Sequence, residues 1–236
     1  MDGLSFGDND EIGRPNLHRG LIDGPKLARP VLDRLSSAFQ SEIEATVSTY
    51  SHYRSRQETS LTHAFLTAFE RAAVTTQNMF PGLTLRTHTS NSDGPDSEEN
   101  KWGLDFGVIV KITDPEGEAS AVRGLICQAK RHIYRSRECL PPTPLLKLQE
   151  QCHKMSRVTR DSAYGVLYLG EAPWVVFETI SAVNSRCLPT LPFKPFSELI
   201  VKLLAGTTGD SSIDSVDHEC FRRAAKVLDI AASVGA

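Results

Sequence analysis

The chain of 236 residues contains no apolar run of membrane-spanning length and no basic-then-apolar opening of the kind that begins a secretory signal. These absences argue against membrane contact and lead to the expectation of a cytoplasmic protein. Cysteine is sparse: five residues, an odd number with no repeated spacing, fit reduced thiols better than a disulfide framework. Cys127, His132, Cys139, Cys152 and His153 lie fairly close together, but their spacing matches no compact zinc finger or ribbon. No Ser-His-Asp elbow and no phosphate-cradling glycine loop is visible. An excess of basic charge is missing as well. The formal net charge of −3 argues against a protein that coats nucleic acid indiscriminately.

What remains is an ordinary globular composition, 40% hydrophobic and 23% charged, with enough length for one sizeable domain and rather little for two. Residues 1–24 are rich in Gly and Asp without apolar periodicity and are expected to form a mobile or peripheral arm. Residues 25–236 are expected to form a single domain. Charge within it is uneven. From Arg123 to Arg160 there are nine Lys or Arg (Arg123, Lys130, Arg131, Arg135, Arg137, Lys147, Lys154, Arg157, Arg160) against Glu138 and Glu150, a local excess of seven. Such a segment suits a phosphate backbone, or it is simply a solvated helix face.

Hydrophobic periodicity divides the chain into elements. Leu27, Val31, Leu32, Leu35, Phe39, Ile43 and Val47 make an amphipathic helix of Lys26 to Tyr50, with a break expected near Pro30. Leu61, Ala64, Phe65, Ala68 and Phe69 stripe a second helix from Ser55 to about Thr76. Gly82 to His88 reads as a strand, followed by a polar loop whose acids, Asp93, Asp96, Glu98 and Glu99, are expected to be solvated. After a Pro-rich connection, a helix from Leu145 to about Arg160 carries Leu145, Leu148, Cys152, Met155 and Val158 on its apolar stripe. Gln149 and His153 flank that stripe, with solvent their expected fate. Strands over Ala163–Leu169 and Trp174–Ile180, then helical patterns over Phe196–Leu204 and Glu219–Ala232, complete an α/β order: a central mixed β-sheet flanked by helices.

The most informative stretch is Trp102 to Arg131. Two strands, Trp102–Val110 and Gly124–Arg131, flank turn chemistry at Thr113-Asp-Pro-Glu-Gly-Glu118. Period two puts Leu125, Cys127 and Ala129 on one face and Ile126, Gln128 and Lys130 on the other, with Asp105 expected in mid-strand. Cys127 then reads as a small core hydrophobe. An acid, an amide and an amine inside otherwise apolar strands cost free energy unless partners meet them, and a metal ion with a phosphate would do so. A structural alternative is an internal Asp105–Lys130 salt bridge. Leu104-Asp105-Phe106-Gly107 also has the form of a kinase motif, but no glycine-rich loop or His-Arg-Asp loop accompanies it.

An Asp on one strand of a hairpin, followed on the next by an apolar run ending in Gln-x-Lys, resembles the PD-(D/E)XK nuclease superfamily. Gln128-Ala129-Lys130-Arg131 is most similar to its Mrr-like branch, in which Gln replaces the second acid. The likeness covers a core of about residues 55–170. It implies a restriction-endonuclease-like fold and a nuclease dependent on Mg²⁺ or Mn²⁺ that cuts double-stranded DNA in defence against foreign DNA. A homo-oligomer or a larger defence complex is implied as well. On this resemblance Asp105, the Gln128 side-chain carbonyl, the Ala129 backbone carbonyl and Glu58 hold the metal. Lys130 meets the scissile phosphate and the attacking water, while Lys111, Arg131 and Arg135 contact substrate. For Glu58 a plainer role stays open, since Ser55-x-x-Glu58 is also a capping box. The alternative for the whole chain is a catalytically silent nucleic-acid-binding or assembly subunit with the same fold.

Overall fold

Residues three and four apart gather the first apolar surface. In the helix α1 (Arg29–Tyr50), Leu32, Leu35, Phe39 and Ile43 are buried. Pro30 does not break this helix. It is the second helical residue, where the missing N–H has no intrahelical partner to lose, so it starts the helix instead. The computed structural model describes residues 29–50, 58–77, 83–89, 101–113, 120–132, 142–169, 175–178, 194–213, 220 and 226–230. The 1–24 arm therefore lies outside the described residues, as do Leu27 and the 114–119 turn.

Helix α2 (Glu58–Gln77) lies beside α1, and its expected stripe, Leu61, Ala64, Phe65, Ala68 and Phe69, is buried throughout. Phe39 and Phe69 meet with ring centroids 4.7 Å apart. Both helices cover one face of a seven-stranded sheet of order β6-β5-β4-β3-β2-β1-β7. The strands are β1 (Leu83–Thr89), β2 (Phe106–Thr113), β3 (Ser120–His132), β4 (Ala163–Leu169), β5 (Val175–Glu178), β6 (Lys194–Pro195) and β7 (Lys226–Ile230). β2 and β3 pair antiparallel from Phe106↔Cys127 to Thr113↔Ser120, as a hairpin requires. β3 and β4 are parallel, and α3 (Pro142–Val158) lies in the crossover that parallel pairing demands. The remaining pairs are antiparallel, so the sheet is mixed and the protein is α/β.

Alternation decides the two cores. Val108, Val110, Leu125, Cys127, Ala129, Val166 and Tyr168 face α1, α2 and α4 (Phe196–Leu204). Phe196 of α4 sets its ring edge-on to Phe65 at 4.4 Å. Ile109, Ile126 and Leu167 face the other way, onto Leu148, Cys152 and Met155 of α3 and onto Ile213 and Cys220. Each large apolar side chain so buried contributes about 1.5–3 kcal/mol relative to exposure. The helices therefore hold β3 from both sides.

Two further expectations are corrected. Over Glu219–Ala232 a helix was expected, but Lys226–Ile230 is the edge strand β7, paired antiparallel with β1 from Leu85↔Ile230 to Thr89↔Lys226. Val227, Leu228 and Ile230 suit a pleat, and the edge of β1 that β2 does not take offers them a ladder; tertiary pairing overrides the local pattern. The second correction concerns Trp102, which with Lys101 is helical, so that the strand begins only at Phe106.

One member of the basic stretch is not at the surface. Arg123 on β3 is buried beneath the loop that follows α4. Gly206 ends that helix at φ +72°, donating its N–H to Leu203 while Thr207 donates to Lys202, the hydrogen-bond pair of a glycine-terminated helix. A side chain at position 206 would come within 2.6 Å of the Arg123 Nη2. Burial lowers the pKa of Arg123, and the neighbouring C-terminal end of α4 is the electronegative end of its dipole.

Candidate metal and phosphate site

β3 outruns its partner. β2 stops at Phe106, opposite Cys127, while β3 continues to His132. Ahead of β2 stands Asp105, in a bend rather than in mid-strand as the alternation suggested. Its N–H donates to the Cys127 carbonyl at 2.8 Å, and its Oδ2 accepts the Ala129 N–H at 2.8 Å. A carboxylate thus takes the place that a backbone carbonyl would hold if β2 were longer. The acid lies end-on to the ladder.

Gln128 completes this junction. Its side chain is fully buried, and Nε2 donates to Asp105 Oδ2 at 2.5 Å and to the Ala129 carbonyl at 3.1 Å. Its Oε1 is buried without a hydrogen-bond partner. An orphaned buried acceptor is costly, about 1–3 kcal/mol.

The 103–105 segment is set in place by α3. Gly103 adopts φ +76°, and a side chain there would run into the backbone of Gln151, with a β-carbon 2.8 Å from its Cα. Leu104 is buried in the α3-side core, with Trp102 packed against it. Gly103 and Gln151 fix where Asp105 stands, and neither is prominent in the sequence. A glycine just ahead of a strand was the available signal for the first. Gln151 adjoins Cys152 on an apolar stripe, and nothing local marked it.

Lys130 lies two residues beyond Gln128 in β3, half-buried. Its charge is felt by the Cys152 thiol of α3, although burial dominates there and pushes that thiol up to about 12. Across the sheet, burial also pushes Cys127 well up, reinforced by the negative charge of Asp105. Cys127 and Cys152 therefore belong to cores on opposite faces, which separates any zinc set containing both. Among the described residues, no group of three or more His, Cys, Asp or Glu is placed to hold a metal ion.

The other expected site residues differ in what can be said of them. Glu58 is the first residue of α2, but its side chain lies outside the described residues, as does Ser55 of the possible capping box. Arg135 also lies outside them. Arg131 is half-buried next to Lys130. Lys111 is exposed, six residues along from Asp105, about 20 Å at the rise of a strand, so the fold does not bring it to the site. His153 is exposed, its Nε2 3.2 Å from Arg157 Nη2, and Gln149 is half-buried.

A hard divalent cation takes oxygen donors and retains waters. The Asp105 carboxylate and the Ala129 carbonyl converge on the Gln128 amide, whose Nε2 faces them while its Oε1 is buried without a hydrogen-bond partner; with that amide reversed all three would offer oxygens, a donor set that fits such an ion. It contributes a single carboxylate, which favours weak binding. No protein-family model matches the chain, and no curated protein matches it.

Proposed function

We propose that the protein is a Mg²⁺- or Mn²⁺-dependent phosphodiester hydrolase, a DNA endonuclease of the PD-(D/E)XK kind with a restriction-endonuclease-like fold. The observation that carries this reading is the meeting of Asp105, Gln128 and the Ala129 carbonyl where β3 outruns β2, with Lys130 two residues on. A bound divalent ion supplies charge stabilisation at the phosphate and an activated water. Asp105, the Ala129 carbonyl, the Gln128 side-chain carbonyl and Glu58 would hold that ion. Lys130 contributes a compact charge to a non-bridging phosphate oxygen and orients the water. Arg131 and Arg135 contact the substrate backbone. The exposed Lys147, Arg157 and Arg160, on and just beyond α3, extend the positive surface along the duplex.

Cutting both strands of a duplex takes two such sites, hence a homo-oligomer or a subunit of a larger defence assembly in the cytoplasm. A second reading, a silent nucleic-acid-binding subunit, is favoured by one observation. Asp105 already has a structural task as acceptor for the Ala129 N–H. Plasmid nicking with and without Mg²⁺ or Mn²⁺ separates the two. The enzyme reading expects metal-dependent cleavage by the native protein and none by Asp105→Asn or Lys130→Ala, both still folded by circular dichroism. Native protein that shifts DNA mobility but cuts nothing with either ion establishes the silent reading instead.

A further inference from the structure

The two oxygens that a divalent ion would take, Asp105 Oδ2 and the Ala129 carbonyl, are both acceptors for the same group, the Gln128 Nε2. That amide nitrogen carries two hydrogens of partial positive charge and directs them at the acceptor pair. Its sister atom Oε1 is turned into a buried position where no hydrogen-bond donor meets it. The orientation is forced by charge. Turned over, the amide would aim Oε1 at a carboxylate and a carbonyl, three acceptors with no donor among them. Only a cation makes the reversed orientation favourable, because all three oxygens then become ligands.

We infer that the Gln128 amide is an internal stand-in for the cation and turns about its terminal bond to present Oε1 when a divalent ion binds. This deepens the nuclease reading and rests on it. Gln128 thereby sets the affinity of the site: the ion must displace two hydrogen bonds before it gains a ligand. A glutamate at the same position has no hydrogens to give up. It repels Asp105 in the ion-free protein and attracts the ion.

Two measurements test this, neither reading cleavage. The first follows the side-chain NH₂ resonances of Gln128 in ¹⁵N-labelled native protein, assigned by their loss in Gln128→Leu, as Mg²⁺ is added. The Gln128 pair and the Ala129 backbone amide are expected to shift together and saturate together, with no such response in Asp105→Asn. The second is calorimetric titration of Mg²⁺. Gln128→Glu is expected to bind about tenfold tighter than native, since ligand charge raises affinity, and to melt at a lower temperature than native without Mg²⁺ but not with it. If native protein binds Mg²⁺ while the Gln128 resonances stay fixed, or if a folded Gln128→Glu binds no tighter, the inference is overturned and the metal site stands. If native protein binds neither Mg²⁺ nor Mn²⁺, the nuclease reading and this inference fall together.

Discussion

Asp105 holds a strand end together whatever else it does. Asp105→Ala leaves the Ala129 N–H and Gln128 Nε2 without this acceptor, and a loss of about 2 kcal/mol or more is expected in urea unfolding. Asp105→Asn keeps an oxygen for the Ala129 N–H and should lose less than half as much, although both variants are expected to be inactive. The contrast separates the residue's structural task from the chemical one proposed for it. Cys152 gives a second residue-scale test. Below the ordinary thiol range, folded and unfolded chains both hold its proton. As pH rises toward about 12 only the unfolded chain releases it, so stability falls, by up to about 1.4 kcal/mol per pH unit. Cys152→Ala should flatten part of that alkaline slope in chemical unfolding measured across pH, leaving the share due to Cys127.

At the scale of elements, the site depends on how α3 meets the start of β2. Gly103→Ala forces a β-carbon against the Gln151 backbone at a positive φ, and backbone cannot yield as a side-chain tip can. A loss of more than about 2 kcal/mol is expected on thermal unfolding and, if the site binds Mg²⁺ as proposed, lower affinity for it because Asp105 moves with its neighbour. Helices and central strands were legible from periodicity because the stripes of α1, α2, α3 and α4 and the alternation of β3 report burial directly. β7 was not. Val227, Leu228 and Ile230 fit either period over so short a run, and pairing with β1 decided between them.

For the whole molecule, the charged surface differs from the one the sequence suggests. Arg123 belongs to the basic stretch but lies beneath the loop after α4, out of reach of a phosphate, whereas Lys147, Arg157 and Arg160 are exposed. Removing one exposed cation that contacts DNA should reduce the slope of log affinity against log salt by about 0.9. If the chain binds DNA as proposed, Arg157→Ala and Arg160→Ala are expected to do so in fluorescence-anisotropy titrations, and Arg123→Met to leave the slope unchanged. Arg123→Met should also cost little stability, since an apolar chain of similar length replaces a desolvated cation.

Residue order alone determined the α/β class, the hairpin and the shared face of Ile126, Gln128 and Lys130, because a strand's period fixes orientation without reference to anything distant. Only the tertiary structure decided where β2 stops relative to β3, and so that Asp105 meets Gln128 across the end of a ladder and not across a sheet face. It also decided that Lys111 stands far from Asp105, that Arg123 is buried and that β7 is a strand. Each of these depends on which segment lies alongside, and contacts between residues far apart in sequence leave no periodic trace in either one.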